Sequence, residues 1–107
     1  MEQRRDQRFP VRFRSVLTSV NIGDYAGTAL DLSLRGCRIQ SDMTILVGMH
    51  VALRITVPGQ DAPIQIERAA VRWSREQEFG VEFIATRTRD GDRLRQVMLG
   101  LGQNLKT

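Results

Sequence analysis

The stretch Val51-Ala52-Leu53-Arg54-Ile55-Thr56-Val57 alternates cleanly, with Val51, Leu53, Ile55 and Val57 on one side and Ala52, Arg54 and Thr56 on the other. A period of two places alternate side chains on opposite faces of an extended chain, so this segment reads as a strand with one face in a core. Pro58-Gly59-Gln60-Asp61 ends it with turn residues. Upstream, Val11, Phe13, Ser15 and Leu17 alternate with Arg12, Arg14 and Thr18, and Asn21-Ile22-Gly23-Asp24 supplies a turn into a return strand from Tyr25 to Leu32. Ser33-Leu34-Arg35-Gly36 makes a tight connection into a strand from Cys37 to Gln40. Downstream, Ile64 to Trp73 and Phe79 to Ala85 are strand candidates on either side of a charged turn, Ser74 to Glu78. Six short strands with no helix between them predict an all-β, six-stranded antiparallel barrel.

The period changes after Asp90. Leu94, Val97, Met98, Leu101 and Leu105 fall on one helical face, which predicts an amphipathic C-terminal helix over residues 89–103. Thr88 or Asp90 is the expected cap, and Gly100 and Gly102 point to fraying or termination near there. The apolar stripe is suited to cover an open mouth of the barrel. One domain over residues 1–107 is expected, with a basic flexible arm at 1–10, the barrel at 11–86 and then the helix.

Composition narrows the chemistry. The 107 residues are 41% hydrophobic and 26% charged, which excludes a disordered tail and a membrane span. The N-terminus carries Glu2, Arg4, Arg5 and Asp6 where a signal peptide would be apolar, so a cytoplasmic location without membrane insertion is expected. One cysteine, Cys37, permits no internal disulfide, and the single His50 leaves no Cys/His cluster for zinc, so no metal is expected. Cys37 reads as a small buried residue and His50 as a strand-end one, and no carboxylate pair or nucleophilic constellation suggests a catalyst. The net charge is +4, and of the 16 basic residues all but Lys106 are arginine. Five arginines (Arg4, Arg5, Arg8, Arg12, Arg14) lie in the first 14 residues against Glu2 and Asp6, making that end electropositive. Arginine's planar fork suits phosphate and guanine.

Two clusters stand out. Arg4 and Arg8 form an RxxxR pattern just before the first strand, and Asp31, Ser33 and Gly36 form [DN]xSxxG at a strand junction. In the bland reading these are a solvated basic tail and a tight turn. Both motifs in this order, with a hairpin between them, closely resemble the PilZ domain family. The resemblance extends to Gly48, to Ala70-Val71-Arg72-Trp73 and to Phe79-Gly80-Val81-Glu82-Phe83, and so spans nearly the whole chain.

The resemblance implies a barrel with a C-terminal helix that binds the second messenger cyclic di-GMP and catalyses nothing. Arg4 and Arg8 would clamp guanine and phosphate, Asp31 and Ser33 would contact a guanine edge and a phosphate, and Gly36 would shape the turn. Arg5 would add a phosphate contact or a stack, with Arg35, Arg38 and Trp73 as auxiliary contacts. The arm would order on binding and signal in trans to an output protein, in motility, biofilm polysaccharide synthesis or another bacterial process. No DNA or RNA partner is expected on this reading. The alternatives are a basic small barrel that binds nucleic acid, for which only Phe9 lies beside the basic arm, and a PilZ-like adaptor without nucleotide binding.

Overall fold

The structure is a computed structural model and describes residues 7–20 and 23–106. The chain forms β1 (Phe9–Ser19), β2 (Gly23–Leu32), β3 (Gly36–Gln40), β4 (His50–Ile55), β5 (Ile64–Arg75), β6 (Glu78–Ala85) and α1 (Thr88–Lys106). The strands close into a barrel in the order β1-β2-β3-β6-β5-β4, with every neighbouring pair antiparallel. Closure gives every strand a partner on both sides along part of its length.

The inward positions are those the alternation marks. Leu17, Leu32, Ile39, Leu53, Ile55, Ile64, Ile66, Val71 and Phe79 are fully buried, while Arg12, Arg14 and Thr56 face out. Irregularities between Pro10 and Phe13, Ala29 and Asp31, Val51 and Leu53, and Val71 and Trp73 bend the sheet enough to close it. Proline at Pro10 lacks the N–H that a regular ladder would require, which suits it to a bulge.

Each end of the barrel is covered. Between β3 and β4 the chain folds across one opening: Ile45 is buried there, its carbonyl accepts from Ser74 Oγ at 2.8 Å, and Ser41 Oγ donates to Ala26 O at 2.9 Å. Gly48 N–H donates to Val71 O at 2.9 Å, which holds the far side of the same segment on β5. Helix α1 covers the other end, burying Leu94, Val97 and Met98 in the core and partly burying Leu101. Arg93 pins the helix to the β4–β5 connection, donating to Pro63 O at 2.9 Å, to Gln60 Oε1 at 2.8 Å and to Ala62 O.

Several boundaries differ from the sequence reading. β1 starts at Phe9 because that ring is buried, so the last two residues of the expected arm, Phe9 and Pro10, belong to the barrel. Of the expected first turn, Asn21 and Ile22 lie outside the described residues. β4 ends at Ile55; Thr56 N–H still reaches Arg14 O at 2.8 Å and Val57 stays buried, so the alternation continues past the strand.

The charged stretch Ser74 to Glu78 is mostly strand. Only Glu76 and Gln77 form the turn, with Glu76 at φ 56°, and Arg72 to Arg75 carry no inward period because their side chains project into solvent. The helix runs to Lys106 through Gly100 and Gly102, because the half-buried Leu101 and the neighbouring Phe9 ring, against which Gly102 packs, hold its last turns to the barrel. Its first backbone bond, Gly91 N–H to Arg87 O at 2.8 Å, makes Arg87 the cap instead of Thr88 or Asp90. Asp90 Oδ1 accepts from Gln65 N–H at 3.1 Å and so docks the helix on β5.

Candidate functional site

The Ser33–Gly36 turn sits at the junction of β2 and β3. Ser33 N–H donates to Gly36 O at 2.9 Å, and Ser33 Oγ donates to the same carbonyl while accepting from Arg35 N–H at 3.2 Å and Gly36 N–H at 3.1 Å. The hydroxyl is buried, so in this arrangement its capacity is spent holding the turn. Gly36 is required sterically, since a Cβ there would overlap the carbonyl oxygen of Val81 on β6. Phe83 N–H donates to Arg35 O at 2.7 Å and ties the turn to that same strand.

Asp31 lies at the β2 irregularity opposite Arg38. Its Oδ1 accepts from Arg38 N–H at 2.8 Å and from Arg8 Nη1 at 3.1 Å, and Oδ2 lies 3.5 Å from Arg38 Nε. The Arg8 and Asp31 side chains, 23 residues apart in sequence, meet because Phe9 is anchored opposite Leu32 and Pro10 opposite Asp31. Arg38 Nη1 continues the chain of charges to Glu78 Oε1 at 2.9 Å. That hydrogen bond to Glu78, with the charges of Glu78 and Asp31, strengthens the hold of Arg38 on its proton.

These groups line a cavity of about 370 Å³ on the outside of the sheet, together with Ser33, Arg35, Cys37, Arg72, Trp73, Gly80, Val81 and Glu82. Four arginines (Arg8, Arg35, Arg38, Arg72) face it against two carboxylates, Asp31 and Glu82. Arg72 Nε and Glu82 Oε1 pair at 2.7 Å on the far wall. Trp73 lies over Gly80, where any Cβ would overlap the indole nitrogen, and remains 40% exposed. Its ring also borders a second cavity of about 420 Å³ lined by Gln40, Arg75, Glu76, Gln77 and Glu78. The arrangement offers excess positive charge, several guanidinium forks, one carboxylate held by backbone and arginine, and an indole face.

Of the residues marked in the sequence, the structure brings Arg8, Asp31, Ser33, Arg35, Arg38 and Trp73 to one cavity, with Gly36 seating the turn beside it. Arg4 and Arg5 lie outside the described residues. Cys37 is buried beside the site, and burial, reinforced by Asp31, pushes its thiol pKa far up. His50 is exposed at the head of β4. Sequence reasoning missed Glu78, Glu82 and Gly80. Their signal is the pairing of β6 with β3, which sets Gly80 opposite Arg38 and Glu82 opposite Gly36, and it is visible only once the strands are paired. Among the described residues no group of three or more His, Cys, Asp and Glu side chains could hold a metal, and no helix is long and apolar enough to cross a membrane.

Comparison with solved structures finds the same fold in several proteins. The Bacillus subtilis inhibitor of motility (MotI/DgrA) superposes with a TM-score of 0.75 at 18% identity, over 91% of this chain and 50% of that one. The PilZ domain of CeSA from a cellulose-synthesizing bacterium gives a TM-score of 0.69 at 13% identity, over 90% of this chain and 98% of that one. YcgR from Escherichia coli, solved in complex with c-di-GMP, gives 0.70 at 14% identity over 94% of this chain and 46% of that one. The chain thus spans about half the length of MotI/DgrA and YcgR and nearly all of the CeSA domain. No curated protein matches the sequence. The PilZ domain model matches residues 2–100, covering the barrel, both motifs and most of α1, and the chain belongs to the PilZ domain family.

Proposed function

We propose that this domain is a cytoplasmic receptor for cyclic di-GMP that signals to an output protein in trans. The observation that carries this reading is the meeting of the two motifs, Arg8 and Asp31 at 3.1 Å, at a cavity where four arginines face two carboxylates. Cyclic di-GMP has two phosphates and two guanines. Arg8, with Arg4 and Arg5 from the arm, neutralises phosphate and grips the guanine O6 and N7 edge. Asp31 accepts from the N1–H and N2–H donors of a guanine.

Ser33 and Gly36 act by holding the turn at the height that lets Arg35 face the cavity, and the Ser33 hydroxyl reaches a phosphate only where the turn loosens. Arg38 and Trp73 complete the wall, the latter as a stacking face. The Arg8 side of the Arg8–Asp31 pair is half open to water while Asp31 stays held by Arg38, so exchanging Arg8 for a ligand leaves the carboxylate in place. That exchange frees Arg8 and the arm ahead of it to fold over the dinucleotide, which is the conformational change that a partner would read. The c-di-GMP complex of YcgR supports the choice of ligand, and the motility inhibitor and the CeSA domain support motility or surface polysaccharide as output. The nucleic-acid alternative is weakened because Phe9, the aromatic beside the arm, is buried in the barrel.

Isothermal titration of cyclic di-GMP into the purified chain tests the reading, with GTP and a short single-stranded RNA as controls. Saturable binding selective for the dinucleotide, weakened at least about tenfold by Arg8→Ala through loss of a charged contact, is the expected result. Absence of heat with cyclic di-GMP, or equal binding of the RNA, overturns it.

A further inference from the structure

Leu34 and Arg35 are adjacent in the Ser33–Gly36 turn and face different cavities. Arg35 lines the candidate ligand cavity, whereas Leu34 lines a separate groove of about 290 Å³ between this turn and the first turns of α1. Leu34 supplies its accessible apolar wall, with Leu94 buried beneath it, and a Cβ added at Gly91 would meet only open space. Arg87 and Arg95 form the rim, and among the described residues no carboxylate lines the groove. Leu34 is 40% exposed, so its side chain is open to a partner although the turn that carries it is tightly bonded.

The charge on the rim selects the occupant. Arg87 pairs with Glu67 and Arg95 with Asp92, but all four side chains are at least 42% exposed and the two acids stand outside the groove. Exposed pairs of this kind are weak, so both guanidiniums can accept an incoming carboxylate. An apolar floor with a cationic rim fits an acidic segment that carries a large apolar anchor.

We infer that this groove is the docking site for an acidic segment of the output protein, with one large apolar side chain against Leu34 and its carboxylates against Arg87 and Arg95. The turn couples the two cavities. Ser33 Oγ holds Arg35 and Gly36 in one bonded unit and Arg35 O accepts from Phe83 N–H, so a ligand that loosened these bonds at Arg35 would shift the adjacent Leu34 as well. Only this coupling rests on the cyclic di-GMP reading; the docking stands on the groove alone.

The test uses the full chain labelled with nitrogen-15 and a synthetic peptide, Asp-Glu-Glu-Phe-Glu-Asp, followed by amide chemical shifts. The expected result is saturable shifts confined to residues 34, 86–88 and 91–95, absent with a peptide whose Phe is Ala or whose acids are Lys. Arg95→Glu and, independently, Leu34→Asp weaken the peptide by about tenfold or more. Arg95→Glu keeps its affinity for cyclic di-GMP, since Arg95 is not part of that cavity. Saturating cyclic di-GMP changes peptide affinity by about fivefold, a typical coupling. No saturable shift, or equal binding of the Lys peptide, overturns the docking site whatever cyclic di-GMP does. Peptide binding in a chain that gives no heat with cyclic di-GMP leaves the docking site standing and removes the receptor reading.

Discussion

Burial decides what Cys37 can do. Its thiol is enclosed between β2 and β6, with Leu32 and Val81 as its register partners, and desolvation raises its pKa, Asp31 adding to the rise and Arg8 opposing it. The thiol therefore stays protonated in the folded protein well above the pH, about 8.5, at which an unfolded cysteine ionises. Since the unfolded chain releases this proton first, stability that is fully present below about pH 8.5 falls as pH rises beyond it. At pH 8 the native protein is expected to react with iodoacetamide far more slowly than the same protein in denaturant. Fast labelling of the folded chain, followed by mass spectrometry, would contradict the enclosed thiol.

Gly80 is the second residue whose role is steric. Its missing side chain is the seat of the Trp73 indole, so Gly80→Ala must lift the ring or distort β6. We expect a loss of about 1–3 kcal/mol in chemical denaturation, as for overpacking, with a shifted emission from Trp73, the chain's single tryptophan. If cyclic di-GMP stacks on the ring, its affinity falls in the same variant. An unchanged emission spectrum would show that the indole does not rest there.

At the scale of elements, α1 is held by packing and not by its own helical propensity. Its interior contains Gly91, Gly100 and Gly102, each unfavourable in a helix, and it persists because Leu94, Val97 and Met98 are inserted in the core. Leu94→Ala is expected to cost about 2–5 kcal/mol, read by thermal or urea unfolding. Gly100→Ala should do the opposite. A Cβ there meets nothing within 4 Å, so the variant gains about 0.5–1 kcal/mol and a few degrees in Tm. Destabilisation by Gly100→Ala would mean that the helix surface at that point is covered.

The β5–β6 hairpin shows a second element-scale effect. Ser74 and Arg75 read as part of a charged turn in sequence, yet they are strand, since β5 extends beyond the core and pairs with β6 alone there. This extension is what carries Trp73 and Arg72 out to the candidate ligand cavity.

For the whole molecule, charge is the property that reaches furthest. A net charge of +4 and the surplus of arginine at one cavity would attract a dianionic ligand, and the Arg8 guanidinium there is half exposed. Affinity for cyclic di-GMP is therefore expected to fall several-fold between about 0.05 and 0.5 M salt, as the screening length drops from more than 10 Å to a few ångströms. Titrations across that range check it, and an affinity independent of salt would argue for a site dominated by stacking and neutral hydrogen bonds.

The strands, their inward faces and the amphipathic helix were legible in the sequence because period and burial are local properties: Leu53 and Ile55 must share a face whatever else folds around them. The motifs were legible for a related reason, as a turn such as Ser33–Gly36 is bonded within four residues. Tertiary structure alone decided that Arg8 reaches Asp31, that Glu78 holds Arg38, that Trp73 rests on Gly80, and that Leu34 faces a groove formed with α1. Those contacts join residues far apart in the chain. Their geometry depends on strand register and barrel closure, which one sequence does not state, because the energy that sets register is collected across paired strands and not along any one of them.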